Sequence, residues 1–133
     1  MKFMLDTNVC IDLIRDRNER ILRRLKRRLP DDLCVSAVTL SELEYGVAKS
    51  SNPGKNRLAL AEFMTPLMVA PYDDRVAVEY GRIRAELERD GLPIGPLDTM
   101  IAAHAVTLGL TIVTSNEREF RRVSGLQVQN WSK

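Results

Sequence analysis

A chain of 133 residues, 44% hydrophobic and 29% charged, is long enough for one packed domain with a real core and too short for two. No apolar run reaches membrane-spanning length and the opening residues lack the apolar region of a secretory signal, so a cytoplasmic protein with no membrane partner is expected. Net charge is only +2, so any affinity for polyanions must come from how the charges are distributed.

Lys2–Leu5 is short and apolar and reads as a buried strand. Asp6 stands at its carboxyl end, and Thr7 or Asn8 is placed to cap a helix through Val9, Ile11, Leu13 and Ile14. Asp16–Asn18 punctuates. Ile21, Leu22, Leu25 and Leu29 then recur at helical spacing with basic residues on the other face, and Pro30, Asp31 and Asp32 close that helix. Leu33–Val35 reads as a second strand, and Ser36 as the N-cap of a third helix with Val38, Leu40, Leu43 and Val47 apolar. Glu42 falls early in that helix. Ser50–Gly54 reads as a loop, and a fourth helix carries Leu58, Leu60, Ala61 and Phe63. Leu67–Ala70 is a third strand, ended by Pro71. Asp73 or Asp74 starts a long helix whose face is Val76, Tyr80, Ile83 and Leu87. Gly91–Pro96 is the strongest break in the chain. Pro96 suits the first turn of the next helix, which puts Asp98 in that turn, and Gly109 suits its end. Leu110–Val113 is a fourth strand, Thr114–Asn116 leaves its carboxyl end, a short helix passes through Phe120, and Leu126–Gln129 is a weak fifth strand. The alternation predicts an α/β fold: a parallel sheet of about five strands with helices on both faces.

Asp6, Glu42 and Asp98 each fall near a helix start. If the first strand is central, its carboxyl end faces that of the fourth, which brings Asp6 near Asn116 and Glu119. Oxygen ligands without His or Cys suit a hard divalent cation, magnesium or manganese, better than zinc. Clustered carboxylates repel one another and ask for a counterion. Each acid is equally suited to cap or charge a helix N-terminus, so the residues alone leave both readings open. Cys10 and Cys34 sit in apolar contexts with no metal-ligand spacing and read as reduced core residues, and the single histidine, His104, reads as a packed or partly exposed helix residue. Two groups of basic residues stand out. Arg15, Arg17, Arg20, Arg23, Arg24, Lys26, Arg27 and Arg28 form the first, and Arg118, Arg121 and Arg122 the second. Such blocks suit phosphate backbones, or else are solvated helix faces.

Four segments in order resemble the motifs of one family. They are Leu5–Asn8, Ser36–Leu43 with Glu42 as its acid, Gly95–Ala105 with Asp98, and Val113–Phe120 followed by Val123–Leu126. The chain resembles the PIN-domain ribonuclease toxins of bacterial toxin–antitoxin modules, the VapC family, over nearly all of residues 1–133. The resemblance implies a single PIN-like α/β/α sandwich. It implies a metal-dependent endoribonuclease, using Mg2+ or Mn2+, that inhibits translation or growth, with Asp6, Glu42 and Asp98 at the acidic ligand positions. It further implies an RNA substrate, a small VapB-like antitoxin as partner, and a homodimer. Many PIN domains carry an acid where this chain has Asn116; Glu119, about one turn on, is the candidate to compensate, and Thr7 and Asn116 are candidates to position water. Arg23, Arg24, Arg27, Arg28, Arg118 and Arg121 are the candidates for holding the RNA backbone. Aromatics are only 5% of the chain, which argues against extensive base stacking. Two rivals remain: a phosphohydrolase with Asp6 as nucleophile, which usually wants a second acid where Asn8 stands, and a catalytically silent RNA- or antitoxin-binding module of the same fold.

Overall fold

The computed structural model describes residues 1–15, 18–28 and 30–133. The expected break at Asp16, the cation Arg17 and the apolar position Leu29 therefore lie outside the described residues. Strand β1 (Phe3–Leu5) leads into α1 (Thr7–Ile14) and α2 (Glu19–Lys26). A 3-10 turn at Pro30–Asp32 precedes β2 (Leu33–Ser36), then α3 (Ala37–Lys49), α4 (Pro53–Met64) and β3 (Met68–Ala70). Helices α5 (Asp74–Arg89) and α6 (Pro96–Leu108) follow, then β4 (Thr111–Val113), α7 (Glu117–Phe120) and β5 (Gln127–Gln129).

The five strands form one parallel sheet in the order β3-β2-β1-β4-β5. Successive side chains on a strand point to opposite faces, and the core divides accordingly. Met4, Cys34, Ala70 and Ile112 face α5 and α6 with Phe120 and Val123. Phe3, Leu5, Leu33, Val35 and Val113 face the other way, against α1–α4 and Trp131. Burial on both faces is why β1, β2 and β4 read as continuous runs, whereas the edge strands β3 and β5 are partly exposed. Both cysteines are buried and free, and His104 is fully buried with Nδ1 2.8 Å from Ser36 Oγ.

Three local expectations change. The N-cap of α1 is neither Thr7 nor Asn8 but Asp6, whose Oδ1 accepts from Val9 N at 2.9 Å. The loop after α3 ends at Asn52, not Gly54. Asn52 caps α4 by accepting from Lys55 N, and Pro53 enters the first turn, where its missing N–H costs nothing. Leu58 faces solvent at 68% exposure while Leu60 is the buried residue of α4. Among the described residues no helix is long and apolar enough to cross a membrane.

The order of the strands places the site. The chain moves from β1 to β2 on one side and returns to β4 on the other, which opens a crevice at the carboxyl ends of β1 and β4. Asp6 N donates to Val113 O at 3.0 Å and so stitches the two ends together there.

Candidate active site

Asp6 is the most constrained group in this crevice. It is 2% exposed, and each carboxylate oxygen has its own donor. Oδ1 caps α1, and Oδ2 accepts from Thr114 Oγ1 at 2.5 Å. Thr114 in turn accepts from Asn116 N at 2.9 Å, so the turn after β4 is folded onto the acid after β1. Burial pushes the Asp6 carboxyl from the ordinary 3.8 up to about 6, against the pull of the Thr114 and Val9 hydrogen bonds and with help from Asp98 and Asp12. Thr114 itself is absent from the expected site residues. Its signal was positional: it follows β4 as Asp6 follows β1, and the two strands are neighbours.

Glu42 sits on the second turn of α3 and Asp98 in the first turn of α6, the latter entered through Gly95 and Pro96. Thr7 Oγ1 donates to Glu42 Oε1 at 2.6 Å and lies 3.2 Å from the buried Thr39 hydroxyl, which ties the start of α1 to α3. The Asp98 carboxyl is raised first by burial, then by the negative charges of Glu119 and Glu42. Asp98 also acts on Asp6, so Asp98 is the acid that feels or acts on each of the other three. Asn116 Nδ2 donates to Glu119 Oε2 at 3.0 Å, so the amide at the fourth acidic position orients the glutamate one turn on.

Among the described residues no three His, Cys, Asp or Glu side chains stand close enough to make a ready three-ligand cage. The donor set still fits one kind of ion. It is all oxygen, it is negatively charged, and two of its members have carboxyls pushed upward by burial first and by neighbouring acids after it. Magnesium is commonly held through one or two carboxylates and keeps several of its waters, so a closed cage is not required of it.

Beside the acids runs a groove of about 780 Å³ between α1, α3, α4 and α6. Thr7, which opens α1 and meets Glu42, and Arg15 and Lys49, at the far ends of α1 and α3, line it together with Ile11, Val38, Val47, Asn56 and Leu97. Tyr45, 65% exposed, stands on its lining with the Lys49 ammonium 4.9 Å from its ring.

The arginines expected to hold RNA separate into different situations. Arg118 is exposed and in no ion pair among the described residues, next to Asn116 and Glu119. Arg121 pairs with Glu117 at 3.2 Å, and Arg122 Nη1 donates to Pro93 O at 3.1 Å, in the loop that leads to Asp98. Arg28 lies 4.7 Å over the Phe3 ring and Arg24 5.6 Å over Trp131, whereas Arg23 and Arg27 are exposed.

Residues 3–126 match the family model of the PIN domain. The chain is 46% identical over 132 residues, 99% of each protein, to the tRNA(fMet)-specific endonuclease VapC of Shigella flexneri. It is 45% identical over 131 residues, 98% of each, to the protein of the same name from Salmonella typhimurium. The crystal structure of DNA-bound VapBC from Salmonella typhimurium superposes with a TM-score of 0.94 at 45% identity, covering 98% of both chains.

Proposed function

The chain belongs to the VapC ribonucleases of the PIN-domain family, and we propose that it is the toxin of a toxin–antitoxin pair which cleaves a phosphodiester of a structured RNA with the help of a divalent cation. The names of its relatives make initiator tRNA the first substrate to try. The observation that carries the reading is Asp98 acting on Asp6 and lying in the fields of Glu42 and Glu119, with Asp6 held where β1 and β4 end side by side and Glu42 lining an open groove.

In this reading Asp6 and Asp98 would hold Mg2+ or Mn2+. When bound, the ion supplies Lewis acidity, lowers the pKa of a water and offsets the charge that develops on the phosphoryl oxygens. Asp6 is kept in place by Val9 N and Thr114 Oγ1 and needs no reorganisation. Glu42, oriented by Thr7, and Glu119, oriented by Asn116, are the acceptors for the attacking water's proton. Arg118, at the rim beside Glu119, holds the backbone and gives affinity rather than sequence choice. The partner we propose is a small antitoxin, and the assembly a homodimer.

The test is cleavage of initiator tRNA and of an unrelated tRNA by purified protein in magnesium, manganese and EDTA. Cleavage should require the ion. Asp98→Asn should lower the rate by about a thousandfold, since several kcal/mol are at stake at about 1.4 kcal/mol per factor of ten. RNA binding without cleavage in either metal would instead make this a silent binding module of the same fold.

A further inference from the structure

Helix α5 pairs three of its four arginines with acids among the described residues, and α2 pairs none. On α5, Arg82 meets Glu79 at 2.8 Å and Glu86 at 3.3 Å, and Arg84 meets Glu88 at 3.4 Å; just before it, Asp73 meets Arg75 at 3.0 Å. On α2 no cation is in an ion pair among the described residues. Glu19 is the only acid of that helix, with Asp31 and Asp32 following in the turn beyond it. Arg20, Arg23 and Arg27 are all exposed. Their spacing places them on one stripe, where like charges repel and the clustering is a cost to the free protein.

Arg24 on α2 and Arg28 just past its end lie instead over aromatic rings. The Arg28 guanidinium lies 4.7 Å from the Phe3 ring and 5.7 Å from Trp131, and that of Arg24 lies 5.6 Å from Trp131. Ile21 is fully buried in the same core cluster as Phe3 and Trp131. The helix is thus bolted down by one set of arginines and offers another set to solvent in a fixed array. Phe3 opens β1 and Asp6 follows its last residue, so this helix is anchored at the end of the sheet opposite the acids, about 10 Å of strand away.

We propose that Arg20, Arg23 and Arg27 form a second RNA-binding surface, separate from the cleavage groove, that grips the phosphate backbone of a folded RNA. The inference rests on the ribonuclease reading and names its substrate class: an RNA whose structured part reaches beyond the cleaved strand. Guanidinium groups match phosphate geometry through two hydrogen bonds and carry no base information. The surface would therefore select for folded shape and length, while the groove deals with the scissile phosphate.

The experiment compares the parent with the triple variant Arg20→Gln/Arg23→Gln/Arg27→Gln and with a charge-matched control on α5, Arg75→Gln/Arg82→Gln/Arg84→Gln. Binding to tRNA is read by fluorescence anisotropy across a salt series, and cleavage by KM and kcat on tRNA and on a short single strand spanning only the cleaved loop. The α2 variant should raise the tRNA Kd and KM about tenfold or more, lower the salt slope by about two to three, and leave kcat and the KM for the short strand within twofold. The control should match the parent. An unchanged salt slope, an equal loss in the control, or an equal rise in KM on the short strand would overturn the proposal. So would lost binding to duplex DNA with tRNA binding intact. If the parent cleaves no RNA, the ribonuclease reading fails alone, because the anisotropy series still decides whether this surface binds RNA.

Discussion

Asp6 answers, at the scale of one residue, a question that the sequence could only pose. A carboxylate between a strand and a helix reads equally as a cap or as a reactive acid. In the structure Oδ1 caps α1 and Oδ2 accepts from Thr114, so the cap is what aims the second oxygen into the crevice. Burial is the largest influence on the group and raises it to about 6. The folded state therefore holds this proton more tightly than the unfolded chain does. Stability from this group is fully present below about pH 4, is lost as pH rises through about 6, and stays lost at neutral pH. At about 1.4 kcal/mol per unit, the loss is about 3 kcal/mol in the absence of a cation. Asp6→Asn removes the charge and keeps the shape and the capping oxygen. We expect it to abolish RNA cleavage yet unfold no earlier than the parent in EDTA at pH 7.5, and to gain on the parent as pH rises from 4 to 7. Magnesium or manganese should raise the parent's midpoint by mass action and the variant's less. Thermal unfolding of both proteins, with and without metal, checks this. A variant clearly less stable in EDTA would make Asp6 chiefly a structural cap, and equal shifts with metal would remove it from the ion site.

The elements were legible where one segment carries its own signals. Ser36 and Asp73 cap α3 and α5, Pro96 opens α6, and Gly109 ends it with φ +68°, a left-handed conformation that glycine reaches without strain. These signals put Glu42 and Asp98 near helix starts without any coordinates. Illegible were the features that depend on distant partners. The hydroxyl of Thr114 becomes part of the crevice only because β4 lies beside β1. Trp131 belongs to no periodic pattern and sits two residues from the last, where chains commonly fray. It is nevertheless 1% exposed, packs edge-on against Phe3 at 5.2 Å, and supports Arg24 and Arg28. The basic block of α2 looked uniform in sequence, and only this platform divides it into buttresses and an exposed stripe. Trp131→Ala should therefore cost about 3 to 5 kcal/mol of stability by opening a cavity under α2. Denaturant unfolding should show the lower midpoint with an unchanged slope, while kcat on a short RNA strand stays near the parent's under native conditions. A variant as stable as the parent would mean that the chain end contributes nothing to holding α2.

The groove gives the whole molecule a polarity that bears on how the proposed antitoxin would silence it. Its lining runs from Thr7 and Glu42 at the acid end, across apolar walls, to Arg15 and Lys49. Along α1 that is eight residues, about 12 Å. An occupant that fits this pattern carries a basic side chain at one end and an acidic one roughly four extended residues away, with apolar side chains between. Arginine is the best match for the acid end, because it can bind a carboxylate through two hydrogen bonds. Burial raises the carboxyls of Asp6 and Asp98 beside that end, their acidic neighbours raise them further, and neither is in an ion pair among the described residues, so a positive charge is lacking there. The same lack is what a divalent cation would fill, so peptide and metal should compete. We expect the antitoxin segment that covers the groove to place a basic side chain near Asp6 and Asp98, and its apparent Kd to rise as magnesium or manganese is added. Asp98→Asn should weaken the peptide and reduce this metal dependence, whereas Lys49→Gln should weaken the peptide and leave the metal dependence intact. Calorimetric titration of both variants with the segment, at several metal concentrations, separates the two ends of the groove. A co-purified complex with full ribonuclease activity and an open pocket would contradict the whole scheme, since an antitoxin that leaves the acids free to bind metal and RNA cannot inhibit by occupying them.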